Sequence, residues 1–203
     1  MTTFILYDST NADDIPAGAT FVAGYSDGRY NWPLAAWERF AANAWSIPIT
    51  TQGGHTGARV ADCETGDLTP QTAALWALME LHAHGRRPTI YTSASNRLAV
   101  AQALQRLGLA LGADVDLWLA SWGSPPILPI GCVAMQYAHP PGSGGHFDLS
   151  VVDPSWAMRV GNPPTNVGKV VTVKAPNGQV MTSDIGSLGA EGLWPLPPGY
   201  TLV

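Results

Sequence analysis

Two carboxylates stand one residue apart in "ADCETGD", residues 61–67: Asp62 and Glu64, with Cys63 between them. The chain is otherwise poor in charge, with 12% Asp, Glu, Lys and Arg. In an extended strand alternate side chains share a face, so Asp62 and Glu64 point one way and Cys63 the other. Their Cα atoms then lie about 6.5–7 Å apart. Two partly buried acids at that spacing repel when both are ionised, so one pKa rises and a protonated acid stands beside a charged one. Glycosidic cleavage uses that division. A protonated acid serves the leaving oxygen, and a carboxylate supports the oxocarbenium-like centre or a nucleophile. A D-x-E pair alone is a weak signal. Asp67, after Thr65 and Gly66, reads as a turn or capping residue.

The acids need a frame. Short runs rich in Val, Ile, Tyr and Trp recur between Gly, Pro, Asp and Ser: 4–8, 20–25, 46–50, 58–64, 88–92, 116–121, 132–138 and 147–152. Helical patterns lie between several of them. One covers 33–44, with Leu34, Trp37, Phe40 and Ala41 on one face. A second opens at Thr69-Pro70, an N-cap before proline, presents Leu75, Leu78, Met79 and Leu81, and stops near Gly85. A third runs over 95–107 and ends at Gly108. Strands alternating with helices predict a (β/α)8 TIM-type barrel. The span is short against about 250 residues for that fold, so helices must be missing, mainly after strands one, six and seven. A doubly wound open sheet is the alternative, and no glycine-rich phosphate loop follows strand one to give it a nucleotide function.

In such a barrel, chemistry sits at the C-terminal strand ends. Asp8 ends strand one, Tyr25 strand two, and Asp62 and Glu64 strand four. Tyr91 is near the end of strand five, Trp118 in strand six with Trp122 just beyond, Gln136 near the end of strand seven, and Asp148 in strand eight. Four acids and several polar aromatics thus gather on one predicted rim. Trp and Tyr suit the apolar faces of sugar rings. His139 and His146 flank a Pro/Gly loop before strand eight and could line the cleft, although solvation is the plainer reading, while His82 and His84 suit a helix C-terminus.

Composition excludes several classes. A net charge of −5 leaves no basic footprint for nucleic acid. No run approaches the roughly 18 apolar residues of a membrane span. Cys63 and Cys132 are too few for a disulfide framework and lack paired zinc spacing, so both read as buried hydrophobes. The opening "MTTFILYDST" lacks the regions of a signal peptide, so release by lysis, or as part of an assembled particle, is expected.

Residues 1–160 are expected to form the barrel, and 161–203 a linker, a hairpin and a tail. "GNPPTN" reads as the linker, and two strands flank Asn177-Gly178, a strong hairpin turn. The Gly/Pro-rich end reads as an extended tail. An isolated hairpin is marginal in water, so this part should pack on the barrel, another copy or a partner.

The ordered set "YDST", "ADCETGD", "RRPTIYTS", "LWLASWG", "MQYA" and "FDLSVVD" resembles the lysozyme-type glycoside hydrolases of family 25. It is most similar to a glycoside-hydrolase-like subgroup found in actinobacterial and phage proteins. The resemblance covers about residues 3–157. It implies an irregular, helix-poor barrel that cleaves peptidoglycan glycan strands without a cofactor. It implies that Glu64 is the general acid, Asp62 its partner, and Asp8 and Asp148 the acids of the first and last strands. Tyr91, Trp118 and Gln136 would line the groove. Tyr7-Asp8-Ser9-Thr10 departs from the family's Gly-Ile-Asp-Val-Ser opening, and the segment after strand one is very short. The tail matches nothing in the enzyme and suggests attachment to phage virion proteins through residues 161–203. A non-catalytic glycan-binding or structural virion protein on a repurposed barrel is therefore the alternative.

Overall fold

The computed structural model describes residues 4–54, 57–139 and 146–162, with the strands at 170–174, 180–184 and 201–202. Eight strands close a barrel: β1 Phe4–Asp8, β2 Phe21–Tyr25, β3 Trp45–Thr50, β4 Val60–Cys63, β5 Thr89–Ser93, β6 Asp116–Ala120, β7 Ala134–Ala138 and β8 Asp148–Val152. All eight expected strands are present, and the open-sheet alternative falls because β8 pairs with both β1 and β7.

The pairing departs from an all-parallel barrel at one place. Strands β1 to β7 run parallel, and β8 runs antiparallel to both neighbours. The first residue of β8, Asp148, therefore lies opposite the last residue of β1, Asp8. Had β8 run parallel, Asp148 would sit at the bottom, where Thr89 and Asp116 begin β5 and β6.

Helices are sparse. α1 Leu34–Ala41 links β2 to β3, α2 Pro70–His84 links β4 to β5, and α3 Arg97–Arg106 links β5 to β6. Single 3-10 turns at Ala12–Asp14 and Gly28–Tyr30 serve the connections after β1 and β2. α2 begins as the sequence predicts. The Thr69 side chain accepts from the Thr72 N–H, and Pro70 occupies the first turn. It ends at Gly85, whose φ of 60° is the left-handed cap that glycine adopts without penalty. Its buried face differs from the apolar pattern. Ala73, Ala74, Trp76 and Ala77 are buried, while Leu75 and Met79 are exposed. The alanines let α2 approach the sheet closely, and Cys63 and Ile90 fill the layer beneath. In α1 only Phe40 is buried, and Leu34 stays exposed.

α4, Pro154–Val160, was not foreseen, although Asp153-Pro154 is an N-cap followed by proline and the Asp153 side chain accepts from the Ser155 N–H. Because β8 is reversed, its C-terminal end lies at the bottom, and α4 closes the barrel there. Trp156 enters the core, stacks edge-on against Trp118 at 6.0 Å, and donates from Nε1 to the Thr89 hydroxyl at 2.9 Å. Arg159 and Arg87 both pair with the buried Asp116, at 2.6 and 2.8 Å. The barrel contacts continue to Asn162, which exchanges backbone hydrogen bonds with Ser46 of β3.

The C-terminal strands form a separate sheet of order β10-β9-β11. β9 Val170–Lys174 pairs antiparallel with β10 Val180–Asp184, as the hairpin reading requires. The Asn177-Gly178 turn lies outside the described residues. Within the tail, β11 Thr201–Leu202 pairs antiparallel with β9.

Trp156 fills the bottom of the core. Trp156→Ala should lower stability by about 3–5 kcal/mol, the range for deleting a buried aromatic ring. Urea unfolding followed by tryptophan fluorescence and circular dichroism measures this, and a loss under about 1 kcal/mol would contradict the plug.

Candidate active site

The site rests on a stack of buried side chains at mid-barrel. Trp118 is fully buried and donates from Nε1 to the Ser150 hydroxyl at 3.0 Å. Its ring meets Tyr91 edge-on at 5.2 Å. This corrects the expectation that Trp118 lines a groove: it stands at mid-strand, two residues short of the end of β6, and its ring is held between Tyr91 above and Trp156 below. It supports the rim instead.

Above Trp118 lies a polar chain. The Tyr91 hydroxyl donates to Gln136 Oε1 at 2.8 Å. That bond fixes which way the amide faces, so Nε2 points at the acids. It donates to Asp8 Oδ1 and to Asp148 Oδ2, each at 3.0 Å. On the other side, the Tyr25 hydroxyl donates to Asp62 Oδ2 at 3.3 Å. Asp8 Oδ2 and Asp62 Oδ1 are buried without a partner.

Glu64 lies one residue beyond β4 and is half-buried. The alternation holds. Asp62 faces the barrel interior at 3% exposure, while Cys63 packs outward beneath α2 and α3. A cleft of about 620 Å³ opens beside Glu64, lined also by Asp67, Ser93, Ser95, Asn96 and the start of α2. Asp67 takes part in the turn, its N–H bonding to the Glu64 carbonyl at 3.1 Å, and it also lines the cleft. The cleft residues Ser93, Ser95 and Asn96 carry no motif and were not singled out.

Burial shifts the acids in one direction. Asp8 is held well above the carboxylate range, first by burial and then by the Asp148 charge, with Gln136 opposing. Asp62 is pushed up to about 8 by burial, then by Glu64 and Asp67. Glu64 is raised by burial, with the nearby Tyr91 hydroxyl opposing. Asp148 is raised by burial, against His139. Mutual repulsion alone would raise one member of the Asp62/Glu64 pair, whereas burial at the rim raises both. Tyr25 and Tyr91 are raised too, chiefly by burial, and so remain neutral donors.

His139 does not behave as a solvated loop residue. Its Nδ1 contacts Asp148 Oδ1, and its ring stacks on Trp122 at 4.3 Å and 29°. Trp122 is 49% exposed. Position was the only available signal, since His139 directly follows β7. Thus Asp8, Asp62, Glu64, Asp148, Tyr25, Tyr91 and Gln136 come together, with Trp122 at the edge and Trp118 beneath. Among the described residues, no group of three or more His, Cys, Asp and Glu could hold a metal ion, and no helix is long and apolar enough to cross a membrane.

No family model matches this sequence, and no curated protein matches it. Solved structures do. A muramidase from Acremonium alcalophilum superposes with a TM-score of 0.50 at 14% identity, over 77% of this chain and 98% of that one. A family 25 glycosyl hydrolase of Streptococcus pneumoniae, described as a virulence factor in host cell invasion, gives 0.48 at 11%, over 79% and 94%. A Tat-secreted protein of Mycobacterium tuberculosis, solved with L-tartrate, gives 0.42 at 17%, over 76% and 98%. The first establishes the fold: this chain has the helix-poor, closed barrel of a muramidase. The helix-poor barrel expected from the sequence is thus the fold observed.

The raised Asp62 carries a consequence for stability. Its ordinary value is 3.8, so between about pH 4 and 8 the unfolded chain releases a proton that the folded chain keeps. Stability contributed by the protonated form is complete at the acid end of that window and is lost as pH rises through it, as for every acid raised here. Asp62→Asn, a neutral isostere, should flatten this fall by up to about 1.4 kcal/mol per pH unit. Urea unfolding of both proteins at several pH values tests this, and parallel curves would refute it.

Proposed function

We propose that this chain is a glycan-strand hydrolase of lysozyme (muramidase) type acting on peptidoglycan. The observation that carries the reading is the convergence of four acids on one rim, with the half-buried Glu64 opening on the 620 Å³ cleft. A carboxyl raised by burial keeps its proton until a leaving group needs it. Glu64 donates that proton to the glycosidic oxygen as the bond to the anomeric carbon breaks. Water completes the hydrolysis at that carbon and returns a proton to Glu64. Asp148 supports the oxocarbenium-like centre, Asp62 holds the substrate in place, and Asp8 orients the ring or its N-acetyl group. Exposed Trp122 offers an apolar face at the edge.

The proposed place of action is the bacterial cell wall. The proposed carrier is a phage particle, joined through residues 161–203, or release by lysis. The three-stranded sheet of β9, β10 and β11 beyond the barrel favours a second reading, a binding or structural virion component. The two are compatible, because an enzyme carried on a particle is both.

Release of reducing sugars from purified peptidoglycan, wild type against Glu64→Gln, tests the hydrolase. The variant keeps the shape and removes the acid. A fall of about 10²-fold or more is expected for loss of a general acid. Folded wild-type protein that releases no reducing ends from several wall types would overturn the hydrolase and leave the binding barrel.

A further inference from the structure

The rim poses a problem of charge. Asp8 Oδ1 and Asp148 Oδ2 both lie 3.0 Å from one nitrogen, Gln136 Nε2. Two carboxylates that close do not both ionise cheaply. Gln136 is neutral and donates equally to both, so it does not choose between them. Asp62 in β4 and Glu64 just beyond it oppose ionisation of Asp8 further whenever they are themselves charged. Among the described residues, no arginine or lysine forms an ion pair with any of the four acids; the arginine pairs go to Asp13 and Asp116. The remaining loop residues 140–145 are Pro, Gly and Ser, with no charge.

His139 breaks the tie. Its Nδ1 lies against Asp148 Oδ1, the oxygen that Gln136 does not use. Asp8 Oδ2, the corresponding oxygen of the other acid, is buried with no partner. An Nδ1 hydrogen is present in the imidazolium and in one neutral tautomer, and either form stabilises a carboxylate and not a carboxylic acid. Trp122 holds the imidazole from the outer side. The nearby His146 is engaged elsewhere, 4.0 Å from Asp14.

We propose that His139 is a positioning residue that assigns the negative charge of the Asp8/Asp148 pair to Asp148, with Trp122 clamping the imidazole in place. Asp148 is the carboxylate and Asp8 the carboxylic acid. Within the hydrolase reading, on which this part rests, the charge beneath the sugar therefore comes from β8. Trp122 then serves the site through His139 as well as through any sugar it touches.

The test is a ¹³C NMR titration of the side-chain carboxyls, without substrate, in wild type and in His139→Phe. Phenylalanine keeps a ring on Trp122 and removes the N–H. His139→Ala serves as a second variant, and thermal unfolding checks that both fold. In wild type Asp148 should ionise before Asp8. In both variants the Asp148 midpoint should rise by about one unit or more, as expected when a close cationic or N–H partner is lost. A smaller rise in folded variants, or Asp8 ionising first in wild type, overturns the proposal. Activity against pH on peptidoglycan is read in parallel, and its acid limb should move to higher pH with Asp148. A wild type that cleaves nothing while Asp148 still shifts would sink the hydrolase reading and leave the His139 assignment standing.

Discussion

The direction of one strand organises this molecule. Because β8 closes the barrel antiparallel, its first residue lies at the top and its last at the bottom. Asp148 is thereby set opposite Asp8, and α4 is delivered to the opposite end. There Trp156 plugs the core, and Arg159 joins Arg87 on Asp116. One reversal completes the acid rim and seals the base. The division matches the general behaviour of such barrels, in which one face carries chemistry and the other stability.

Between the two faces runs a continuous column of side chains. Trp156, Trp118 and Tyr91 meet edge to face, and Tyr91 passes the order upward through Gln136 to Asp8 and Asp148. The Tyr91 hydroxyl and both Gln136 amide atoms have defined partners, so the amide has one orientation and holds one oxygen of each acid. The same burial that orders the column removes water from the acids. Their shared upward shift is a cost to folding at neutral pH, and it is also what equips a carboxyl to carry a proton in that range. The site stores its chemistry in this tension between burial and charge.

The strands were legible because their alternation and their Gly, Pro and Asp boundaries are local. The opening of α2 was legible for the same reason, since Thr69-Pro70 acts within one turn. Its buried face was not. The leucine pattern pointed to Leu75 and Met79, yet alanines take the inner side because the distance to the sheet, set elsewhere, admits only small residues there. Trp118 was placed on the rim by its neighbourhood in sequence, and depth along the strand removed it. A residue's height in a barrel depends on register across strands, which no local pattern records.

The sequence by itself determined the strand set, the parity that separates Asp62 from Cys63, the start of α2 and the four acids, because these follow from spacing within a few residues. Tertiary structure alone decided the reversal of β8 and the pairing of Asp8 with Asp148. It also decided the orientation of Gln136 and the engagement of His139. These depend on closing the barrel, which joins positions 128 residues apart in the case of Asp8 and Gln136. They depend also on burial, which no residue has until its neighbours are in place.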